Sequence, residues 1–284
     1  MSGVHVALGP MQETLLIPLL GRAEETRRGG LLHDPKAVEI VERLDYDFSR
    51  WRGNPSLIGA SIRARLFDEE VSAFLLAHPA GTIVEIGVGL NTRYERLDNG
   101  LARWIEMDLP DSMALRRQFF ADEPRRTMLV GDAIENAWLD RVAASGGPVC
   151  FVSEAALIFL ADAEAEAVLR RIAERFPRAW LVTDTTSAAQ VEGQARHDAM
   201  GKLTKEAWFQ WRCDDPLTIE SWGYSLRRSR TLLESPAHVI DRLPWRFRVV
   251  FRWLPFLVRR KIDGYRVNLL HVPDRGQLGG DDGE

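Results

Sequence analysis

Four acidic residues each follow an apolar run directly, and a pair of glycines ends another such run. The glycines are Gly87 and Gly89, placed after Ile83-Val84-Glu85-Ile86. Glycine lets a backbone turn sharply and approach a bound molecule, and turns at strand ends are where open α/β sheets bind ligands. A Gly-x-Gly pair can equally be a plain turn, so its surroundings decide between the two. The four acids are Asp108, Asp132, Glu154 and Asp184.

The spacing of these residues restricts the ligand. Asp108 follows Gly87 by 21 residues, a position from which a carboxylate can bind ribose hydroxyls. The third glycine of the dinucleotide fingerprint is replaced by Thr92, and Glu85 within the preceding run also disfavours a phosphate. S-adenosylmethionine offers a ribose without a phosphate, and its sulfonium and ammonium groups attract carboxylates. We therefore expect it as the cofactor.

Strand-like and helical segments alternate through the middle of the chain. Apolar strand patterns occupy residues 82–86, 102–107, 127–130, 148–152 and 180–183, and 265–272 forms a last one. Such alternation predicts parallel strands with right-handed crossovers and helices on both faces. A doubly wound sheet of this kind gathers the four acids at one rim. The alternative is that each acid caps the helix that follows it.

Before this core, the sequence predicts two helices. Asp34-Pro35 is a helix start, with apolar residues at helical spacing up to about Leu44. Residues 54–77 carry a longer apolar stripe and end before Pro79-Ala80-Gly81. These helices belong to an N-terminal arm.

Length and composition favour one α/β domain with insertions. The chain has 284 residues and is 45% hydrophobic, enough for a sizeable core. We expect a single domain over residues 1–273. It divides into a helical arm (1–80), a cofactor-binding core (82–184), a substrate lid (185–241) and a C-terminal helix and strand (242–273), followed by a disordered tail (274–284).

Charge and cysteine content exclude several classes of protein. The net charge of −4 is nearly balanced, which argues against a nucleic-acid partner. Cys150 and Cys213 form neither a zinc motif nor a disulfide framework, and we expect no metal. No apolar run is long enough to span a bilayer and no signal segment is evident, so a cytoplasmic protein without stable membrane insertion is expected. The oligomeric state is left open.

The predicted lid is irregular and aromatic. Trp208, Trp222 and Tyr224 could wall a pocket for a small-molecule acceptor; the alternative is a satellite core in which they only pack. Arginines of the same segment could bind a substrate carboxylate in bidentate fashion. If the acceptor were a hydroxyl, His197 or Tyr224 would be the candidate base. The arginines are Arg196, Arg212 and Arg227.

A basic and apolar segment follows the lid at residues 244–261. It contains Arg246, Arg248, Arg252, Arg259 and Arg260 among bulky apolar residues. Such a segment could touch a membrane surface or a partner helix. Pro244 and Pro255 bracket only a short helical span, which favours a helix packed on the sheet.

Six short segments occur in a fixed order along the chain. They are ETLLIPLLGRA (13–23), HDP (33–35), RAR (63–65), VEIGVGLNTR (84–93), IEMDLP (105–110) and SEA (153–155). Together they resemble the leucine carboxyl methyltransferase family, and within it the bacterial branch of polyketide O-methyltransferases. The resemblance covers residues 13 to about 184.

This resemblance implies a class I methyltransferase fold: a Rossmann-like, doubly wound, seven-stranded sheet with an antiparallel last strand. It assigns Arg65 to the methionine carboxylate of the cofactor, Asp108 to the ribose, and the pair Asp132 and Ala133 to the adenine. Val88 and Asn91 depart from the pattern of the family. The full set of expected cofactor-binding residues is Arg22, Arg65, Glu85, Gly87, Gly89, Asp108, Asp132, Ala133 and Glu154.

The expected activity is O-methylation, with a methyl ester formed on the carboxylate of a small aromatic or polyketide-like molecule. A carboxylic acid is already an anion at neutral pH, so its methylation needs no general base. Three alternatives remain open at this point: methylation of a hydroxyl with a base from the lid, a catalytically silent module that binds S-adenosylmethionine, and a nicotinamide-dependent oxidoreductase.

Overall fold

The core of the protein is a seven-stranded mixed sheet. The structure is a computed structural model, and it describes residues 3–274 apart from the side chains of residues 257, 260 and 261. The strands are β1 (Thr82–Ile86), β2 (Arg103–Asp108), β3 (Arg126–Val130), β4 (Val149–Ser153), β5 (Trp180–Thr186), β6 (Ser225–Thr231) and β7 (Tyr265–His271). Their order across the sheet is β3-β2-β1-β4-β5-β7-β6. The first five are parallel, and β7 runs antiparallel to both of its neighbours. The predicted seven-stranded fold is confirmed.

The strands are apolar because both faces of the sheet are covered. Ile83 of β1 faces the core formed with the long helix of the arm. Val84, the next residue, belongs to the opposite core, which holds the helices after β3 and β4. This alternation of successive side chains is the two-residue period of a strand.

The helices surround this sheet. They are α1 (Leu16–Arg27), α2 (Pro35–Arg43), α3 (Pro55–Ala77), α4 (Arg93–Leu97), α5 (Pro110–Arg116), α6 (Ala137–Ala143), α7 (Asp162–Arg175), α8 (Ala188–Gly193), α9 (Ala237–Ile240), α10 (Trp245–Trp253) and α11 (Arg259–Ile262). Short 3₁₀ turns lie at Gln12–Leu15, Phe48–Arg50, Leu157–Phe159, Gln194–Arg196, Met200–Lys202, Lys205–Ala207, Pro216–Trp222, Leu232–Glu234 and Pro255–Leu257. A two-residue parallel pairing joins Val4–His5 to Leu44–Asp45. Within residues 3–274 no helix is both long and apolar enough to cross a bilayer.

Both helices predicted for the arm are present. At the start of α2, Asp34 Oδ1 accepts the backbone N–H of Ala37 at 2.9 Å, which is the expected N-cap. The helix α3 begins at Pro55 and ends at Ala77. A third helix, α1, covers the segment that the sequence left without a secondary structure.

The region expected to be an irregular lid contains an edge strand. Ser225–Thr231 pairs with β7 as β6, although five of its seven residues are charged or polar at exposed or half-buried positions. An edge strand with one solvated face has little apolar pattern, which is why the sequence did not reveal it. Most of the expected tail, residues 275–284, lies outside the described residues.

Candidate active site

A cleft opens at the carboxyl ends of β1, β2, β3 and β4. It contains about 700 Å³ of empty space, part of it open to solvent. Its walls come from the 3₁₀ turn of the arm, the glycine turn after β1 and the segments that follow β2, β3 and β4. The position is the expected ligand crevice of an open α/β sheet.

The glycine turn forms the floor of this cleft. Gly87 and Gly89 have φ angles of +67° and +50°, a region that residues with a Cβ rarely adopt. A Cβ added at Gly87 would lie 2.4 Å from the Cβ of Ala156. The turn therefore requires glycine at this position both for its dihedral angles and for space.

Asp108 stands at the end of β2 and faces the cleft. Its Oδ2 accepts the backbone N–H of Gly89 at 2.6 Å, and its Oδ1 accepts that of Leu109 at 2.7 Å. Burial raises the pKa of the Asp108 carboxyl, while these backbone donors act to lower the same pKa. Each oxygen keeps a further lone pair, so the carboxylate can accept hydrogen bonds from a ligand.

Asp132 and Ala133 line the cleft beyond β3. Asp132 Oδ1 accepts the backbone N–H of Ile134 at 3.1 Å, which fixes the turn after the strand. Of the residues predicted to bind the cofactor, the cleft walls therefore contain Gly87, Gly89, Asp108, Asp132 and Ala133.

The turn after β4 is held in an unusual conformation. Ala155, in the cleft wall, has a φ of +50°, and its N–H donates to Asp184 Oδ2 at 2.8 Å. Tyr265 on β7 donates its hydroxyl proton to the same oxygen. The other oxygen of Asp184 is buried and has no hydrogen-bond partner in the described part of the chain. Burial raises the pKa of Asp184 to about 6.

Glu85, Glu154 and Arg22 do not form the cleft wall. They belong to a charge cluster of alternating arginines and carboxylates behind the glycine turn. Arg93 Nη1 donates to both oxygens of Glu85 at 2.6 and 2.7 Å, and Arg93 Nη2 donates to Glu154 at 2.5 Å. Arg22 donates to Asp34 at 3.0 Å and to the carbonyl of Leu90 at 2.8 Å. These three residues support the turn from behind.

The charge cluster is continuous. In the described ranges it links four arginines to four carboxylates, each at least about nine-tenths buried. Burial acts to raise the pKa of Glu154, but Arg63 and Arg93 outweigh it and lower this pKa to about 2. The members are Arg22, Arg63, Arg93, Arg96, Asp34, Asp68, Glu85 and Glu154. Glu154 is therefore ionised and paired at neutral pH.

Arg63, and not Arg65, is the arginine of α3 that joins the charge cluster. Arg63 Nε donates to Glu154 Oε1 at 2.9 Å, and Nη1 donates to the Tyr265 hydroxyl at 3.1 Å. Arg65 lies 3.7 Å from Glu69 and its side chain is 37% exposed. Residues two apart on a helix point about 200° apart, so only one of the pair can face the sheet. Neither arginine belongs to the described cleft wall, so the assignment of Arg65 to the methionine carboxylate of the cofactor stays a prediction.

Tyr224 lies in the core and not in the cleft. It is 4% exposed, and its hydroxyl donates to the carbonyl of Leu169 on α7 at 2.8 Å. Trp208 donates to the carbonyl of Met200, and Trp222 packs beside the buried Trp211 with ring centroids 6.2 Å apart. All three belong to the apolar core on the α7 face. The three aromatic residues therefore pack in or against the core of the sheet, and the described cleft wall contains none of them, so the structure gives no support to their predicted role as substrate contacts.

His197 and the lid arginines also lie away from the cleft wall. Nδ1 of His197 accepts the backbone N–H groups of Ala199 and Met200 at 3.2 and 3.1 Å, which caps a 3₁₀ turn. Arg212 donates two hydrogen bonds to Asp162 at the start of α7. Arg196 and Arg227 are exposed and are absent from the cleft wall. The predicted carboxylate clamp is not assembled.

The apolar part of the cleft comes instead from two segments that the sequence did not single out as substrate contacts. The arm supplies Met11 and Leu15, and the turn after β4 supplies Leu157, Phe159 and Leu160. The motif SEA at 153–155 indicated that this turn lies near the site, but nothing in the sequence marked the apolar residues after it as part of the cleft wall.

These residues fit S-adenosylmethionine. Asp108 presents a carboxylate with free lone pairs where the ribose hydroxyls of a ligand in this crevice lie. The glycine turn brings the backbone close, and Asp132 and Ala133 border the adjoining part of the cleft. Within residues 3–274 no lysine, arginine or histidine lines the cleft, so a positively charged sulfonium meets no like charge from those residues.

Comparison with known proteins agrees with this geometry. No protein-family model matches the chain. The chain is 30% identical over 239 residues to the tetracenomycin polyketide synthesis O-methyltransferase TcmP of Streptomyces glaucescens, covering 82% of this chain and 87% of TcmP. A DUF574 family protein from Streptomyces avermitilis shares the fold at 15% identity, 89% and 97% coverage and a TM-score of 0.55. A weaker likeness is magnesium protoporphyrin IX methyltransferase from Synechocystis, with 15% identity, 79% and 93% coverage and a TM-score of 0.48.

The strand order and the crevice are those of the class I methyltransferases, enzymes that use S-adenosylmethionine. The chain belongs to the family of O-methyltransferases that includes TcmP. The predicted resemblance to the bacterial polyketide branch is thereby confirmed, and the alternative of a nicotinamide-dependent oxidoreductase is wrong.

Proposed function

We propose that this enzyme forms a methyl ester on the carboxylate of a small aromatic, polyketide-like acid. One observation carries the proposal: the two side chains that the sequence offered as a base for a hydroxyl acceptor, His197 and Tyr224, lie away from the cleft wall and are engaged elsewhere. His197 Nδ1 accepts two backbone N–H groups, and the Tyr224 hydroxyl donates to a carbonyl in the core. A carboxylate acceptor needs neither of them, because it is already deprotonated at neutral pH.

The name of the relative supports the chemical class of the acceptor. TcmP is an O-methyltransferase of tetracenomycin polyketide synthesis. The cleft of the present enzyme has an apolar wall of Met11, Leu15, Phe159 and Leu160, which suits a planar, largely apolar molecule. A small acceptor is also consistent with a concave site, since a protein chain end would need a broad docking face.

When bound, S-adenosylmethionine supplies a methyl group on a positively charged sulfur. The protein has to hold the acceptor oxygen in line with that group and exclude water. The arm covers the cleft through Met11 and Leu15, while Ala155 and Ala156 fix its other wall. An apolar wall favours this reaction, because an anion and a cation combine into neutral products and their charges are lost in the transition state.

The test is incubation with methyl-labelled S-adenosylmethionine and a panel of aromatic polyketide acids, each paired with its phenolic analogue lacking the carboxyl group. We expect label in the acids and its release as methanol by mild alkali, which cleaves esters. His197→Gln and Tyr224→Phe should leave kcat unchanged. An alkali-stable methyl ether, lost in either variant, would replace the ester by base-assisted hydroxyl methylation.

A silent binding module gives a different result in the same experiment. It would bind S-adenosylmethionine in a calorimetric titration and transfer no label to any member of the panel. Transfer to a single acid is sufficient to reject it.

A further inference from the structure

The helix α10 carries an exposed apolar stripe that the catalytic site does not use. Trp245, Val249 and Trp253 are 66%, 40% and 74% exposed, and Phe256 just beyond the helix is 67% exposed. Trp245, Val249 and Trp253 are spaced by four residues and therefore lie on one face of the helix. Large apolar residues grouped in this way on a surface mark an interaction site.

The opposite face of α10 attaches the helix to the protein. Phe247 and Phe251 pack against the core between α3 and the sheet. Because α10 is anchored through that face, the stripe points away from the protein. The expected helix is present, and its Phe247 and Phe251 side is covered while the stripe is not.

Arginines border the stripe on both sides. At 100° per residue, Arg248 and Arg252 lie on one side of Trp245, Val249 and Trp253, and Arg246 lies on the other. All three arginines are exposed. Residues 241–263 contain seven basic residues and two acidic ones, Asp241 and Asp263, which pair with Arg252 and Arg259, while the whole chain has a net charge of −4. Positive charge is thus concentrated around the stripe on an otherwise acidic protein.

We propose that this face of α10 docks the enzyme on the surface of an anionic lipid bilayer. Tryptophan has an apolar body and a polar N–H, and it prefers the headgroup region of a bilayer. Arginine side chains beside the stripe reach outward to lipid phosphates while their stems lie along apolar surface. A short helix with an apolar face and basic flanks lies in the plane of the interface and does not span the membrane.

Charge complementarity favours this occupant over a second copy of the chain. Two copies related by a two-fold axis would bring the same arginines face to face, and like charges opposed in this way disfavour association. An anionic bilayer offers negative charge over the whole area and an apolar layer beneath it.

The experiment measures sedimentation of the full-length enzyme with vesicles of phosphatidylcholine alone, or of phosphatidylcholine mixed with phosphatidylglycerol. We expect binding to the mixed vesicles, weakened by added salt, and little binding to neutral ones. Trp245→Ser combined with Trp253→Ser should abolish binding. The triple change Arg246→Gln, Arg248→Gln and Arg252→Gln should weaken it by roughly fivefold per arginine, about a hundredfold in total.

Matched controls separate this face from general surface effects. Leu76→Ser with Leu217→Ser removes exposed apolar groups elsewhere, with 83% and 54% exposure. The second control changes three exposed arginines outside the segment, Arg52, Arg141 and Arg178, to glutamine. Both controls should bind like the wild type, and all variants should keep the wild-type affinity for S-adenosylmethionine, which reports an intact fold.

Absence of wild-type binding to mixed vesicles would overturn the proposal, as would equal binding by the stripe variants. Sedimentation velocity without vesicles tests the other occupant considered, a second copy of the chain. A dimer of the wild type that the tryptophan variants dissociate would assign the face to self-association instead. None of these outcomes depends on the acceptor of the methyl group.

Discussion

Asp108 Oδ2 lies 2.6 Å from the backbone nitrogen of Gly89 and accepts its N–H. One carboxylate at the end of β2 therefore fixes the glycine turn after β1 and still presents lone pairs to the cleft. The shape of the glycine turn and the carboxylate that faces the cleft therefore depend on the same side chain.

Asp108→Asn should weaken S-adenosylmethionine binding. The amide oxygen can still accept one hydrogen bond, but the charge that strengthens hydrogen bonds from hydroxyl groups is lost, and such bonds contribute about 1.5–3 kcal/mol each. We expect a loss of affinity of about tenfold to a hundredfold in calorimetric titration. Asp140→Asn, at an exposed acid on α6, is the control and should bind normally. Equal affinity of wild type and Asp108→Asn would contradict the assignment of this residue.

Arg63→Ala and Arg65→Ala should differ strongly in stability. Removing Arg63 leaves Glu154 with one fewer partner in a buried position, which typically costs about 3–5 kcal/mol. Removing Arg65 affects a side chain that is 37% exposed and 3.7 Å from its partner, and should change the free energy of unfolding by about 0.5 kcal/mol or less. Urea unfolding of the two variants measures both values. Similar losses of unfolding free energy in the two variants would contradict the placement of Arg63 in the charge cluster and of Arg65 at the surface.

Asp184 should make the protein less stable as pH rises toward neutrality. Its pKa in the folded state is about 6 because of burial, which is above that of an unfolded aspartate. Between these two pKa values the folded state binds the proton more tightly, so stability falls as pH increases through this window. Asp184→Asn removes the titration and should therefore gain about 2–3 kcal/mol relative to wild type between pH 4 and pH 7.

The measurement is thermal or urea unfolding of wild type and Asp184→Asn across this pH window. Glu154 acts in the opposite direction, since its pKa of about 2 gives stability that is lost only as pH falls toward that value. The difference between the two proteins isolates Asp184. A difference that stays constant with pH would show that Asp184 does not titrate there.

Tyr224→Phe should affect stability and not catalysis. The change removes the hydrogen bond to the Leu169 carbonyl, which lies inside α7 and keeps its partner within the helix, so the cost is about 0.5–1.5 kcal/mol. Unfolding by urea gives the stability, and kcat/KM for the acceptor gives the activity. A decrease in kcat/KM without a loss of stability would indicate that Tyr224 contacts the substrate.

The sequence revealed the parts of the site that depend on local pattern. The apolar run of β1, its glycines and Asp108 are neighbours in one supersecondary unit, so their relation can be read from spacing. Arg63 and Arg65 could not be separated, because α3 is buried on most of its circumference and its apolar pattern does not mark the face toward Glu154. The contact of Tyr265 with Asp184 joins residues 81 positions apart through the antiparallel pairing of β5 and β7, and no local signal carries it.

The aromatic segment after β5 misled for a physical reason. Tyr224, Trp208 and Trp222 have the composition expected of a pocket wall and equally that of a small core. Tertiary structure decides which contacts they make: Trp208 and Tyr224 donate to backbone carbonyls, and Trp222 packs on the buried Trp211. Composition alone does not distinguish the two arrangements.

The charge cluster behind the glycine turn also determines how the molecule comes apart. It ties α1, through Arg22, to the loop before α2, and ties α3 and α4 to β1 and to the turn after β4. Detaching the arm would leave unpaired charges on both sides of the break, so the open form is strongly disfavoured. Arm and sheet should therefore exchange their amide hydrogens as one cooperative unit. Ligands should enter the cleft by movement of its outer turns and not by release of the arm.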